Sequence, residues 1–202
     1  AVNILADAYG HAIYGLEGEV PEDLEITSKD LNEVVSIGRF TPYEILENLE
    51  EKEVGHVYGL GVSGFLGSTI EIEATAFKAK KKGAGKIRFN DTAGSMAKDS
   101  VFNAASVIKR LTDKDINDYD IHVNVIGGGK IDGPSAGAAI TICIMSALLE
   151  KPIRQDLAIT GEISLRGKIK PVGGIFEKIY GLEDIEVKAI SSIEELMEIA
   201  FN

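Results

Sequence analysis

Apolar residues near the start of the chain recur at the spacing of an amphipathic helix. The pattern covers residues 1–16 and ends at an acidic stretch around Pro21 to Glu25. Residues Thr27 to Asp30 then offer helix-capping side chains, which predicts a second short helix as far as Val35. The beginning of the chain is therefore expected to be helical.

From Gly55 onward the pattern changes to an alternation of apolar and polar residues, which is typical of half-buried strands. We place the boundary between the two patterns at residues 40 to 54. The predicted organisation is a helical segment over residues 1–40, a linker over 41–54 and a second domain over 55–202.

Helices and strands alternate within the second domain. Helical spacing after Ser95, a candidate N-cap, predicts a helix to Leu111, and strict alternation predicts a strand over Tyr119–Ile126. The apolar run from Ala136 to Leu149 predicts a buried helix. Further strands are predicted at Leu157–Thr160, at Glu162–Lys170 and around Lys188. This order of elements is typical of an α/β or α+β domain.

Composition and charge narrow the classes of function. The chain has 202 residues, of which 45% are hydrophobic, so it can bury one good core. Its 32 acidic and 21 basic residues give a net charge of -11, which repels phosphate backbones. Nucleic acid is therefore not expected as the main partner. The one basic cluster, Lys78 with Lys80 to Lys82, is interpreted as a solvated turn.

Cysteine content and hydropathy indicate the compartment. The single cysteine, Cys143, excludes an internal disulfide and a cysteine zinc cage, so a reducing compartment, the cytoplasm, is expected. No apolar stretch reaches the roughly eighteen residues of a membrane span, and no membrane partner is expected. The chain begins at Ala1 without methionine, so we expect it to be a piece of a longer protein.

A G-x-S-x-G element at Gly133 to Gly137 opens the buried helix and is the first chemical signal. Such a turn presents a serine hydroxyl, here that of Ser135, at a helix N-terminus. All three histidines precede it, so the order serine, aspartate, histidine of the α/β-hydrolases is absent. The pentapeptide alone fits equally well a tight turn in which Ser135 only caps the helix.

A lysine is the remaining residue type that could accept the serine proton. Its pKa would have to fall from about 10.4 to about 7–8, which requires a desolvated side chain. Among the lysines downstream of Ser135, Lys178 has the most apolar approach, because it follows Val172 to Phe176 on a predicted helix. The others are expected in charged or exposed segments: Lys151, Lys168, Lys170 and Lys188.

Two further side chains could support a serine and lysine pair. Thr160 ends a predicted strand, where its hydroxyl could orient a lysine amine, and Asp132 lies three residues before Ser135. Each also fits a purely structural role, Thr160 as a β-branched strand residue and Asp132 as a turn aspartate.

Three motifs occur in order around these residues: K-I-D-G-P-S-A-G at 130–137, T-G-E-I-S-L-R-G at 160–167 and P-V-G-G-I-F-E-K at 171–178. Together they resemble the signature of the proteolytic domain of the Lon proteases, and in detail the LonB type. The resemblance extends upstream through residues 92–100 and 55–60, so that it covers about residues 52–202.

The resemblance implies an α+β fold, with mixed sheets and packed helices, and a serine endopeptidase with a Ser-Lys dyad. By position, it makes Ser135 the nucleophile and Lys178 the base, and it places the family's active-site threonine and aspartate at Thr160 and Asp132. It also implies hexameric rings that enclose the proteolytic sites, unfolded or damaged polypeptides as substrates, and an AAA+ ATPase that feeds them. Residues 1–40 resemble the end of the small helical domain of that ATPase.

The chain departs from the family pattern at two points. It contains no G-x-x-x-x-G-K-[ST] loop, so ATP and Mg²⁺ are expected only in an ATPase part, and no cofactor or metal site is predicted here. In addition, Lys178 to Gly181 runs directly into Leu182, where the family has a helix end and a further strand. We expect the segment behind Lys178 to be shortened.

Two other functions stay open on sequence grounds. One is a small-molecule kinase of the GHMP type, whose phosphate loop is also a turn of small residues that opens a helix. The lack of acidic metal ligands beside Ser135 weighs against it. The other is a catalytically silent assembly domain, since a fold does not by itself confer activity.

Overall fold

The computed structural model describes residues 2–14, 24–28, 31, 52–63, 66–90, 93–126, 133–179 and 186–202. The chain divides into two units, Ala1–Pro42 and Tyr43–Asn202. In the first unit, helix α1 spans Val2–Tyr14, as the apolar spacing predicts. Most of the second predicted helix, which ends at Val35, lies outside the described residues.

The second unit combines strands and helices along the chain. Its described elements are, in order, β1 (Lys52–Val54), β2 (His56–Ser63), β3 (Leu66–Lys78), β4 (Ile87–Phe89), α2 (Ser95–Thr112), β5 (Tyr119–Ile126), α3 (Gly137–Leu149), β6 (Pro152–Arg154), β7 (Ala158–Ile159), β8 (Glu162–Ile163), β9 (Ile169–Lys170), α4 (Ile175–Ile179) and α5 (Ile193–Phe201).

Five strands form one mixed sheet in the order β4-β5-β3-β2-β7. Antiparallel pairs join β2 to β3 and β3 to β5, whereas β4 lies parallel to β5 and β7 parallel to β2. Two smaller antiparallel pairs, β1 with β6 and β8 with β9, complete the described strands. The mixture of parallel and antiparallel pairing with packed helices confirms the predicted α+β class.

Helix α3 is the centre of the second unit. All of its residues except Ala147 and Leu149 are buried, because it packs against the five-stranded sheet and against α2. Small residues allow close approach: a Cβ added at Gly59 on β2 would lie 3.8 Å from the Cβ of Ala139. Burial of each large aliphatic side chain around it contributes about 1.5–3 kcal/mol to stability.

The alternation in β5 confirms the strand predicted there. Ile121, Val123 and Val125 are buried in the core, and His122 and Asn124 are exposed on the other face of the sheet. The register pairs Val123 with Ala74 of β3, which fixes this face toward α3.

Three local predictions are wrong for identifiable reasons. Ser95 is not a cap but the first residue of α2, since the extended residue before it is Gly94. The segment Glu162–Lys170 is not one strand but a hairpin, because Gly167 adopts a φ of 78° and its N–H donates to the carbonyl of Ser164. Around Lys188 the chain forms no strand, and Val187 is 62% exposed.

The corner between β1 and β2 is held by buried hydrogen bonds to α3. Gly55 has a φ of +70°, its N–H donates to Ser146 Oγ at 2.8 Å, and its carbonyl accepts the N–H of Ala74 at 2.7 Å. The Cys143 thiol also lies 3.2 Å from this carbonyl as a donor, and burial raises the pKa of that thiol, which keeps it protonated. The corner therefore requires a glycine.

Replacement of Gly55 by alanine tests this corner. An added Cβ would lie 2.1 Å from the Ala74 carbonyl oxygen in a left-handed conformation, so we expect the free energy of unfolding to fall by at least about 2 kcal/mol in urea denaturation. Gly10→Ala in α1 is the control, because a Cβ there meets nothing within 4 Å. Equal, small effects of the two substitutions would contradict the expectation.

Candidate active site

Ser135 lies in a tight turn that leads into the central helix. Gly133 is extended, Pro134–Ala136 form one turn of 3-10 helix, and α3 begins at Gly137. The cap position of α3 is Ala136 and carries no side-chain hydrogen bond, so Ser135 is not an N-cap. The serine side chain is half-buried, and a capping role does not account for a serine at this position.

Two backbone hydrogen bonds fix this turn to the strand segment before β8. The N–H of Gly161 donates to the carbonyl of Ser135 at 2.8 Å, and the N–H of Ala138 donates to the carbonyl of Gly161 at 3.0 Å. The second bond satisfies one of the N–H groups that the first turn of a helix leaves unpaired. Gly161 therefore binds the serine turn at both of its ends.

Lys178 is the one buried lysine among the five that follow Ser135. It lies on α4 with 3% of its surface exposed, whereas the other four are exposed: Lys151, Lys168, Lys170 and Lys188. Burial lowers the pKa of the Lys178 amine below the ordinary value of a lysine. No ion pair to this amine occurs within the described residues. Burial therefore shifts the protonation equilibrium of Lys178 toward the neutral amine.

Thr160 connects the lysine to the serine turn. The amine of Lys178 donates to Thr160 Oγ1 at 2.8 Å, and Thr160 Oγ1 lies 3.5 Å from the carbonyl oxygen of Ser135, to which it donates a long hydrogen bond. Thr160 follows β7, whose residue Ile159 pairs with Gly59 of β2. The central sheet therefore positions the hydroxyl that holds the amine.

The amine and the serine hydroxyl are not directly hydrogen-bonded in the part of the chain that the structure describes; the amine's bond goes to Thr160. Such contacts are often loose before substrate binds, because they tighten only in the reacting complex. Asp132, the fourth predicted site residue, lies outside the described residues, and its role stays a prediction. Ser135, Thr160 and Lys178 are brought to one place.

Sequence reasoning missed the close packing around the serine turn. A Cβ added at Gly137 would lie 3.0 Å from Ser100 Oγ and 3.2 Å from Ile163 Cγ2, so α2 and β8 both press against the start of α3. Gly161 also escaped notice, since its contribution is made by backbone atoms. The only sequence signal for these residues is that both glycines belong to the motifs.

The comparisons with known proteins agree with this arrangement. A family profile of the Lon protease C-terminal proteolytic domain matches residues 25–200. The chain belongs to this family. The Lon domain described here is 37% identical over 203 residues to Lon protease 2 of Bacillus subtilis, which covers 94% of this chain and 36% of that protein.

Other Lon proteases align with the same domain. It is 36% identical over 156 residues to the archaeal Lon protease of Pyrococcus abyssi, with 76% of this chain and 16% of that protein covered. It is 34% identical over 174 residues to the Lon protease of Buchnera aphidicola, with 83% of this chain and 22% of that protein covered. The chain thus spans 36% or less of the length of each of these three relatives.

The family assignment confirms the resemblance inferred from the three motifs. The chain is a C-terminal proteolytic domain of the Lon type. The described residues contain no helix long and apolar enough to cross a membrane. They also contain no group of three or more His, Cys, Asp or Glu side chains that could bind a metal ion.

Replacement of Thr160 by valine in the Lon domain tests the hydrogen bond to the amine. The shape is kept and one hydroxyl is lost. We therefore expect a lower kcat/KM for a peptide, which corresponds to a loss of about 1–3 kcal/mol of transition-state stabilisation. Thr160→Ser retains the hydroxyl and is expected to retain most of the rate. If Thr160→Val cleaves at the wild-type rate, the Thr160 hydroxyl has no part in the reaction and the residue has only a structural role.

Proposed function

We propose that this chain hydrolyses peptide bonds with Ser135 as the nucleophile and Lys178 as the general base. The observation that carries the proposal is the burial of the Lys178 amine at hydrogen-bond distance from Thr160, which itself lies against the serine turn. A buried lysine without a carboxylate partner costs stability, so a functional reason for it is expected.

The reaction divides into two steps at these atoms. The neutral amine of Lys178 accepts the proton of the Ser135 hydroxyl as Oγ attacks the substrate carbonyl, and the resulting ammonium donates that proton to the leaving amine. This leaves an acyl group on Ser135. In the second step the amine accepts a proton from water, the hydroxide attacks the ester, and the proton returns to Ser135 Oγ.

Thr160 keeps the base in the orientation that this step requires. An amine that donates one N–H to Thr160 Oγ1 has its lone pair free to accept a proton from another direction. Because the same hydroxyl lies near the carbonyl of Ser135, it holds the amine on the side of the serine turn. The positive end of the α3 dipole lies at the same turn and favours the charge that develops there.

We further propose that the whole protein degrades unfolded or damaged polypeptides in an ATP-dependent manner. The support is the family membership and the greater length of the relatives named Lon protease, of which this chain covers 36% or less in the three cases given above. An AAA+ part would use ATP and Mg²⁺, and the protomers would form a homo-oligomer, a hexameric ring in the cytoplasm. Neither a membrane nor nucleic acid is proposed as a partner.

Substitution of the two proposed catalytic residues tests the mechanism. Ser135→Ala is expected to reduce cleavage of casein or a peptide by about 10⁴- to 10⁶-fold with the fold intact, because only the nucleophile is lost. Lys178→Met is expected to cause a similar loss. Lys151→Met and Lys168→Met are matched controls, because these side chains are exposed, and should retain nearly the full rate.

Two outcomes would contradict the assignment. Unchanged cleavage by a folded Ser135→Ala protein would remove Ser135 as the nucleophile. Equal losses in all three lysine variants would remove the special status of Lys178. A serine-directed phosphonate that labels the wild type but not Ser135→Ala would also exclude a catalytically silent domain.

The pH dependence follows from the lowered pKa of Lys178. The base is active as the neutral amine, which is populated above its pKa, so kcat/KM should rise as the pH increases through that pKa and level off above it. Because burial shifts the pKa downward, the rise should occur at lower pH than for an exposed lysine. A rate that has already levelled off at pH 5 in peptide assays would exclude lysine as the base.

A further inference from the structure

We propose that Gly161 is a positioning residue, whose missing side chain sets the separation between Ser135 and Lys178. The proposal rests on the proposed function, because it concerns the geometry of that pair. Gly161 touches neither reacting atom in the described structure. It acts through the backbone of the serine turn and through its neighbour Thr160.

The first contact is with the nucleophile's turn. Gly161 donates its N–H to the carbonyl of Ser135 at 2.8 Å and accepts the N–H of Ala138 at 3.0 Å. These bonds bracket the residues from Ser135 to the first turn of α3. A displacement of Gly161 would therefore move the serine turn or break one of its two supports.

The second contact is with the base. Thr160 precedes Gly161 directly, and its Oγ1 accepts a hydrogen bond from the Lys178 amine at 2.8 Å. The planar peptide unit between these two residues joins their Cα atoms at a fixed distance, so a displacement of one is passed to the other. The dipeptide Thr160-Gly161 is thus the described link that holds the nucleophile's turn on one side and the base on the other.

The need for a glycine comes from packing and not from an unusual backbone conformation. A Cβ added at Gly161 would lie 2.5 Å from Ile169 Cγ2, 3.6 Å from the Cβ of Ala138 and 3.9 Å from the Lys170 carbonyl oxygen. Its φ lies outside the left-handed range that would favour glycine by itself. The side chain of Ile169 on β9 therefore occupies the volume that a methyl group would need.

Ile169 cannot move away freely. Strand β9 pairs with β8, with Ile169 opposite Ile163. The N–H of Ile169 also donates to the carbonyl of Ser191 at 3.0 Å. A methyl group at residue 161 would consequently push the Thr160-Gly161 segment away from β9. The amine would lose its hydrogen bond to Thr160, and the dry environment that lowers the pKa of Lys178 would open.

The experiment combines Gly161→Ala with a compensating change of the residue that it strikes. For Gly161→Ala we expect kcat on a peptide to fall about 10- to 100-fold, with a much smaller change in KM, and the rise in rate to move to higher pH. Ile169→Ala removes Cγ2 and should keep a rate near that of the wild type. The double variant Gly161→Ala/Ile169→Ala should recover most of the rate and the original pH profile.

A second measurement does not depend on catalysis. NMR titration of the Lys178 side chain, assigned by comparison with Lys178→Arg, should give a higher pKa in Gly161→Ala than in the wild type, and the double variant should restore it. Gly173→Ala is the control glycine, because a Cβ there meets nothing within 4 Å. If Gly161→Ala does not fold, the double variant is compared with Ile169→Ala. Folding of the double variant with the same kcat and the same Lys178 pKa as Ile169→Ala then supports the proposal.

The outcomes separate this proposal from the proposed function. A wild-type kcat and an unchanged Lys178 titration in Gly161→Ala would overturn it, as would lower thermal stability with an unchanged pH profile. If the double variant Gly161→Ala/Ile169→Ala cleaves as slowly as Gly161→Ala, the steric conflict with Ile169 is not the cause of the loss. Ser135→Ala is assayed alongside: if it cleaves like the wild type, the mechanism fails, while the NMR titration still decides the role of Gly161.

Discussion

The proposed active site depends on a primary amine that is kept out of water. Removing an ammonium group from water is so unfavourable that the group loses its proton more readily, and burial lowers the pKa of Lys178 for this reason, as its proposed role of base requires. The hydrogen bond to Thr160 gives the amine one fixed partner without restoring its charge. A carboxylate in the same place would have done the opposite, because an ion pair stabilises the charged form.

The central helix makes this arrangement rigid. Because α3 is buried on almost every side, its first turn cannot rotate or shift without disturbing the sheet and α2. The proposed nucleophile, Ser135, lies in the turn directly before this buried helix, whereas Lys178 lies on the short helix α4. The hydroxyl of Thr160, which follows the edge strand of the sheet, connects the turn before the buried helix to the short helix that carries Lys178.

The sequence predicts this fold best where periodicity and burial coincide. Strand β5 and helix α3 were accessible because their apolar patterns are long and regular. The hairpin around Gly167 was not, since a single left-handed residue divides what composition presents as one strand. Motif resemblance predicts Ser135 and Lys178 as site residues, but the bonds made by Gly161 involve only backbone atoms and leave no mark in a residue pattern.

The single cysteine gives the molecule an internal reporter of its own opening. Cys143 is fully buried in α3, where its thiol faces the carbonyls of Gly55 and Ile72. A thiol reagent can reach it only after the fold has opened around this part of the helix. When closing is faster than reaction, the rate of modification measures the free energy of that local opening. The local stability around the central helix can therefore be measured in the unmodified chain, without an introduced label.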